Sequence, residues 1–218
     1  MDSDVNGALI MAVIVAFGDS NTWGYDPASA TRFAPETRWT GVMGAALGAQ
    51  FRVVEEGLNG RTTVFDDPVE PGRRGLDYLP PCLLSHQPLD LVIVALGCND
   101  MKARFNVSAA EIALGAERLV IAALASPCGP SGRPPRLLLV APPPVAKLTG
   151  FAEMFRGSET KSREIAGYYA QVAERRGVGF VDAGALIRCS DLDGIHYEAD
   201  QHAALGRAMA EAARIVLE

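Results

Sequence analysis

Five short apolar runs are spaced along the chain: LIMAVIVAF at 9–17, FRVVE at 51–55, LVIVAL at 91–96, RLLLVA at 136–141 and GFVD at 179–182. They are close to continuous rather than alternating. A strand with one face in water alternates apolar and polar side chains, whereas a strand that is apolar throughout needs cover on both faces. Between the runs lie segments whose apolar residues recur at helical spacing. Strand followed by helix, repeated, predicts an α/β chain: a three-layer α/β/α sandwich around a five-stranded parallel sheet, flavodoxin-like in strand order. The length of 218 residues fits a single domain over 1–218, large enough to bury a core without a metal or disulfide staple.

The helical segments carry their own boundaries. Residues 108–126 open with the capping-box pattern Ser108-Ala109-Ala110-Glu111 and set Ile112, Ala116, Leu119 and Ala123 on one stripe. Residues 159–176 set Ile165, Tyr168, Tyr169 and Val172 on another and stop at Gly177. A last helix over 199–217 presents Leu205, Met209, Ala212 and Val216, and a shorter one spans 38–47 before Gly48. Two long connections, 61–89 and 142–157, are marked by prolines and read as loops, while 127–135 reads as a plain surface turn. Long loops in a compact domain are often functional, and these two leave the sheet where α/β proteins bind their ligands.

Charge and cysteine usage exclude several classes. A formal net charge of −6 and a pI of about 5.2 argue against a nucleic-acid partner, and Arg73-Arg74 and Arg175-Arg176 are too short to track phosphates. The cysteines at 82, 98, 128 and 189 form no Cys-x-x-Cys and no close Cys/His cluster, which suggests reduced thiols in a cytoplasmic protein without zinc. LIMAVIVAF follows Asp2 and Asp4 rather than a basic leader and is too short to span a bilayer, so it reads as a core strand and implies no membrane partner.

The first run ends in AVIVAFGDSNTWG, which delivers Ser20 directly beyond a strand. A serine hydroxyl attacks a carbonyl only when a base takes its proton. The chain offers His86, His196 and His202 as that base. His196 lies in DLDGIHYEAD, with Asp193 three residues before it, a spacing that brings a carboxylate to an imidazole in a tight turn. Asp191 is a nearby alternative; His86 and His202 read as packing or surface residues, with a substrate-loop contact as His86's other reading. The third requirement is a set of donors for a developing oxyanion. LVIVALGCND places Asn99 at another strand end, and VVEEGLNGRTT places Gly60 at a third.

These blocks together resemble the SGNH (GDSL-type) hydrolase family: Gly18-Asp19-Ser20, then Gly60, then Gly97-Cys98-Asn99-Asp100, then Asp193-Gly194-Ile195-His196. The longer stretches FGDSNTWGYDP, RFAPETRWTGVM, EEGLNGRTT and PLDLVIVALGCND are similar to its arylesterase/acyltransferase branch, over about residues 13–215. The resemblance implies a metal-independent serine esterase with no cofactor, in which Ser20 attacks, His196 is base and then acid, and Asp193 orients it. It implies an oxyanion hole of the Ser20 and Gly60 N–H groups and the Asn99 amide. Asp19 and Asp100 would hold loops through hydrogen bonds, and Cys98 would be a packed thiol.

Trp23, Tyr25, Phe151, Met154 and Phe155 either wall the acyl and alcohol pockets or belong to the core. The expected substrate is a short-chain or aryl ester, with water or an alcohol as acceptor, so that acyl transfer accompanies hydrolysis. A carbohydrate O-deacetylase is the alternative on the same site, and a ligand-binding module without turnover is a third reading. A nucleotide fold is disfavoured because no G-x-x-x-x-G-K-[ST] is present and no G-x-G-x-x-G follows the first strand. The long loops offer contact surfaces, and the resemblance implies a homo-oligomer.

Overall fold

The structure, a computed structural model, describes residues 11–218. Leu9 and Ile10 of the first apolar run, and Asp2 and Asp4 before it, therefore lie outside the described residues. Five parallel strands form one sheet: β1 (Ala12–Gly18), β2 (Phe51–Gly57), β3 (Leu91–Ala95), β4 (Arg136–Ala141) and β5 (Gly179–Asp182), in the order β2-β1-β3-β4-β5. This is the doubly wound α/β architecture that the apolar runs predict.

The three inner strands β1, β3 and β4 are apolar at successive positions because each serves two cores. Val15 and Phe17 of β1, Val92 and Val94 of β3, and Leu137 and Leu139 of β4 point to one face. There they meet α3 (Gly75–His86), α4 (Ala109–Leu124) and α5 (Ser158–Arg176). Ile14, Ala16, Leu91, Ile93, Leu138 and Val140 point to the other face, against α2 (Trp39–Leu47) and α6 (Ala199–Leu217). The Ser108 capping box forms as expected, its hydroxyl accepting the Glu111 N–H while the Glu111 carboxylate accepts the Ser108 N–H. Among the described residues, no helix is long and apolar enough to cross a membrane.

Two expectations need correction. The 61–89 connection is not simply a loop, since α3 occupies its second half with Pro80 and Pro81 inside it. An interior proline removes a helical donor and costs roughly 3 kcal/mol. Burial of Leu79, Cys82 and Leu83 against the sheet offsets this, because each large apolar side chain contributes about 1.5–3 kcal/mol. The second correction is Tyr168, which is 38% exposed; the buried face of α5 runs through Ile165, Tyr169 and Val172, and Tyr168 falls one residue, about 100°, off it.

Candidate active site

The carboxyl edge of β1 places the serine. Gly18 can carry no side chain, because a Cβ there would lie 2.0 Å from Thr22 Oγ1 and 2.9 Å from the Ala95 carbonyl oxygen. The chain therefore turns at once into the four-residue helix α1 (Ser20–Trp23), capped by Asp19, whose carboxylate accepts the Asn21 N–H at 3.0 Å. The Thr22 and Trp23 N–H groups go to the Asp19 carbonyl. Ser20 is the first helical residue and is buried.

The imidazole comes from the turn ahead of α6. Asp193 Oδ1 accepts the N–H groups of Ile195 and His196 at 2.8 and 2.9 Å, which frees Oδ2 to meet His196 Nδ1 at 2.7 Å. Gly194 sits at φ +87°, and a Cβ on it would lie 2.8 Å from the Lys147 carbonyl oxygen, so the turn needs glycine twice over. The turn is fixed from both sides. Ala146 N–H donates to Gly194, the Thr149 hydroxyl donates to Leu192, and the Asn21 amide donates to Ile195 at 3.3 Å. His196 Nε2 then stands 2.9 Å from Ser20 Oγ. Tyr25 lies against the imidazole at 4.1 Å between ring centroids, and Phe151 meets it edge-on at 5.8 Å. Burial alone would raise the Asp193 carboxyl, but the bonds from His196 and Ile195 outweigh it and hold the group below its ordinary value.

Ser20 and His196 open onto a pocket of about 140 Å³ that Gly60 and Asn99 also line. The Asn99 amide donates to the Arg61 carbonyl at 3.2 Å and lies 3.5 Å from Asp19 Oδ2. Tyr25, Phe151, Met154 and Phe155 form the apolar part of the lining. Trp23 is not part of it. The Arg32 guanidinium stands 4.9 Å from the centroid of its ring.

The remaining wall, Asn59, Glu70 and Lys102, is one that sequence reasoning missed. Lys102 is buried, with Nζ 2.9 Å from Glu70 Oε1 and 3.4 Å from the fully buried Asp67. Arg104 reaches the same Asp67 at 3.0 Å. Arg61, also missed, is 3% exposed, donates to the Gly18 carbonyl at 2.9 Å and covers the Phe17 ring.

Asp19 and Asp100 hold loops. Asp100 accepts the Thr63 N–H at 3.0 Å together with the Thr63 hydroxyl. Burial pushes both carboxyls up to about 6, against the hydrogen bonds that favour their charged forms. The cysteines at 82, 98, 128 and 189 are free and buried, and burial pushes the Cys98 thiol far above its ordinary value. Of the other histidines, His86 pairs with Glu56 at 2.7 Å, and His202 is wholly buried in α6.

Residues 16–204 match the GDSL-like lipase/acylhydrolase family model. The structure superposes on the native aryl esterase of M. smegmatis with a TM-score of 0.90 at 45% identity, over 94% of this chain and 99% of that one. It superposes equally, at a TM-score of 0.90, on a carbohydrate acetylesterase from Sinorhizobium meliloti, 41% identical over 94% of this chain and 99% of that one. A carbohydrate acetylesterase family member from the same organism gives 0.91 at 38% identity, over 95% and 99%. No curated protein matches the sequence.

Proposed function

The chain belongs to the GDSL-like lipase/acylhydrolase family, and from that premise we propose that it is a serine esterase acting on short-chain and aryl carboxylic esters through an acyl-enzyme. One observation carries the reading: a single imidazole bonds Ser20 Oγ through one nitrogen and Asp193 through the other, at 2.9 and 2.7 Å, at a pocket mouth.

In this mechanism the ester carbonyl sits over Ser20. Oγ attacks as its proton passes to His196 Nε2, and Asp193 stays ionised to stabilise the imidazolium and keep the proton of Nδ1 in place. The carbonyl oxygen becomes an oxyanion held by the Ser20 and Gly60 N–H groups and the Asn99 amide, which gives up its long bond to Asp19 while the Arg61 carbonyl keeps its other hydrogen in place. His196 returns its proton to the leaving alkoxide. Water, activated by the same imidazole, then releases the acid. The apolar lining of Tyr25, Phe151 and Phe155 favours an alcohol as a competing acceptor, which would yield a new ester. The M. smegmatis aryl esterase is similar to this chain along almost its whole length, which supports aryl esters as substrates.

The polar wall of Asn59, Glu70 and Lys102 supports a second reading, a carbohydrate O-deacetylase, because hydroxyl-rich leaving groups need polar partners. Comparing turnover of acetylated xylose and phenyl acetate separates the two. The first test is hydrolysis of p-nitrophenyl acetate by wild type, Ser20→Ala and His196→Ala. Both variants should fold and lose about four orders of magnitude or more in kcat. Full activity in either overturns the proposal.

A further inference from the structure

Away from the pocket, the edge strand β2 and helix α3 bring three metal-ligating groups of different chemistry together. Cys82 and His86 are four residues apart on α3 and so share one face of the helix. That face meets Glu56 of β2. His86 Nε2 lies 2.7 Å from Glu56 Oε1, and the carboxylate, the imidazole and the thiol offer ligand atoms all within 4.8 Å of one another. We propose that Glu56, Cys82 and His86 bind one thiophilic divalent cation of the zinc type, which ties α3 to the edge of the sheet and leaves a fourth position for water.

The donor set is the reason for naming that class of ion. Hard cations such as magnesium and calcium take oxygen ligands, whereas one sulfur, one nitrogen and one oxygen suit zinc. Bond lengths of about 2.0–2.3 Å to a tetrahedral zinc put ligands roughly 3.3–3.8 Å apart. The His86–Glu56 contact must therefore open slightly while the thiol closes in by about 1 Å or less, which side-chain rotation supplies. Tyr78, one turn before Cys82, lies beside the same carboxylate, and burial together with the Glu56 charge holds its hydroxyl above the ordinary value. A surface cleft of about 300 Å³, lined by Glu56, Arg61, Arg74 and Tyr78, opens the carboxylate to solvent.

Charge balance sets the conditions. The Cys82 thiol must give its proton to solvent as the metal–sulfur bond forms. Because that proton is released on binding, the affinity rises with pH. The thiolate and the carboxylate cancel the two charges of the cation. Arg61, whose charge is felt by both, is the opposing group and keeps the affinity moderate. The site is nonetheless joined to the pocket, since Arg61 bonds the Gly18 carbonyl with its guanidinium and holds Asn99 through its own carbonyl.

The test is titration of the purified full chain with cobalt(II), read by the near-ultraviolet thiolate-to-cobalt charge-transfer band. Wild type should take up one equivalent with that band, and zinc should bleach it. Cys82→Ser should abolish the band, and His86→Ala and Glu56→Gln should each weaken binding by more than about tenfold. No band in wild type, or one that survives Cys82→Ser, overturns the site. Should Cys82→Ser fail to fold, His86→Ala at the helix end decides, and unchanged cobalt affinity in it is equally fatal.

Discussion

His196 and His202 are six residues apart, both nearly sealed from solvent, and their surroundings treat the ring in opposite ways. In the turn ahead of α6, both nitrogens of His196 are engaged, Nδ1 by a carboxylate and Nε2 by a hydroxyl. Within α6, His202 Nδ1 accepts the Trp39 N–H at 3.2 Å, while Nε2 has no partner. Trp39 is the first residue of α2, and its cap, Arg38, makes no side-chain capping bond, so His202 serves an otherwise orphaned helix N–H. Phe33 and Tyr197 complete an aromatic shell around it at 5.4 and 5.6 Å. Burial pushes His202 down to about 4, with the His196 and Arg38 charges adding to the effect. What separates the two imidazoles is therefore not depth but the partner on Nδ1, a carboxylate for His196 and a backbone N–H for His202.

The strongest way to break that comparison is Asp193→Asn. The amide oxygen can still accept the Ile195 and His196 N–H groups, so the turn should keep its shape. Its NH₂ would then face Nδ1 and force that nitrogen to become an acceptor. The ring proton moves to Nε2, where it meets the Ser20 hydroxyl and blocks attack. A kcat near neutral pH lower by about 10⁴ is expected, with thermal stability little changed. A loss smaller than tenfold would mean that the carboxylate does not set the tautomer.

A smaller effect sharpens the same contrast. Asn99→Ala removes a donor from the oxyanion position and leaves the Ser20–His196–Asp193 bonds untouched. Steady-state kinetics should show kcat lower by about 10²–10³, or 2.7–4 kcal/mol, with KM nearly constant. A change confined to KM would make Asn99 a ground-state contact instead.

How much of this was legible in the chain depends on distance along it. β4 and β5 carry the limits read from sequence, and in β4 cover on two faces makes every position from Leu137 to Ala141 apolar. The Asp193–His196 pair was legible because the contact spans three residues. Lys102 with Glu70 and Asp67 was not, since those bonds span 32 and 35 residues and such partners leave no local pattern. Glu56 with His86, 30 residues apart, was hidden for the same reason, and the Cys82–His86 spacing did not stand out in a stretch read as loop. Prolines hid α3, since local chemistry speaks against a helix that only burial stabilises. Adjacency to the serine did not bring Trp23 into the pocket lining, and its ring carries the Arg32 cation instead.

The smallest expected effect concerns stability. His202 has a folded pKa of about 4 against an ordinary value of 6.5, so between those values the unfolded chain binds the proton and the native chain does not. Stability must then rise with pH across that window, and the contribution lost on going down to pH 4 is at most about 3 kcal/mol. Asp19 and Asp100 work against it. Their folded values of about 6 lie above the ordinary 3.8, so the native chain holds those protons more tightly and gains stability as pH falls. The wild-type curve alone therefore mixes opposite slopes. His202→Asn keeps an acceptor near the Nδ1 position but cannot titrate, so subtracting its urea-unfolding free energies from those of wild type isolates the imidazole. The difference should shrink steadily from pH 6.5 to 4 while esterase activity at neutral pH stays near that of wild type. Two parallel curves would show that burial does not hold this ring neutral, and the contrast between the two histidines would rest on hydrogen bonding alone.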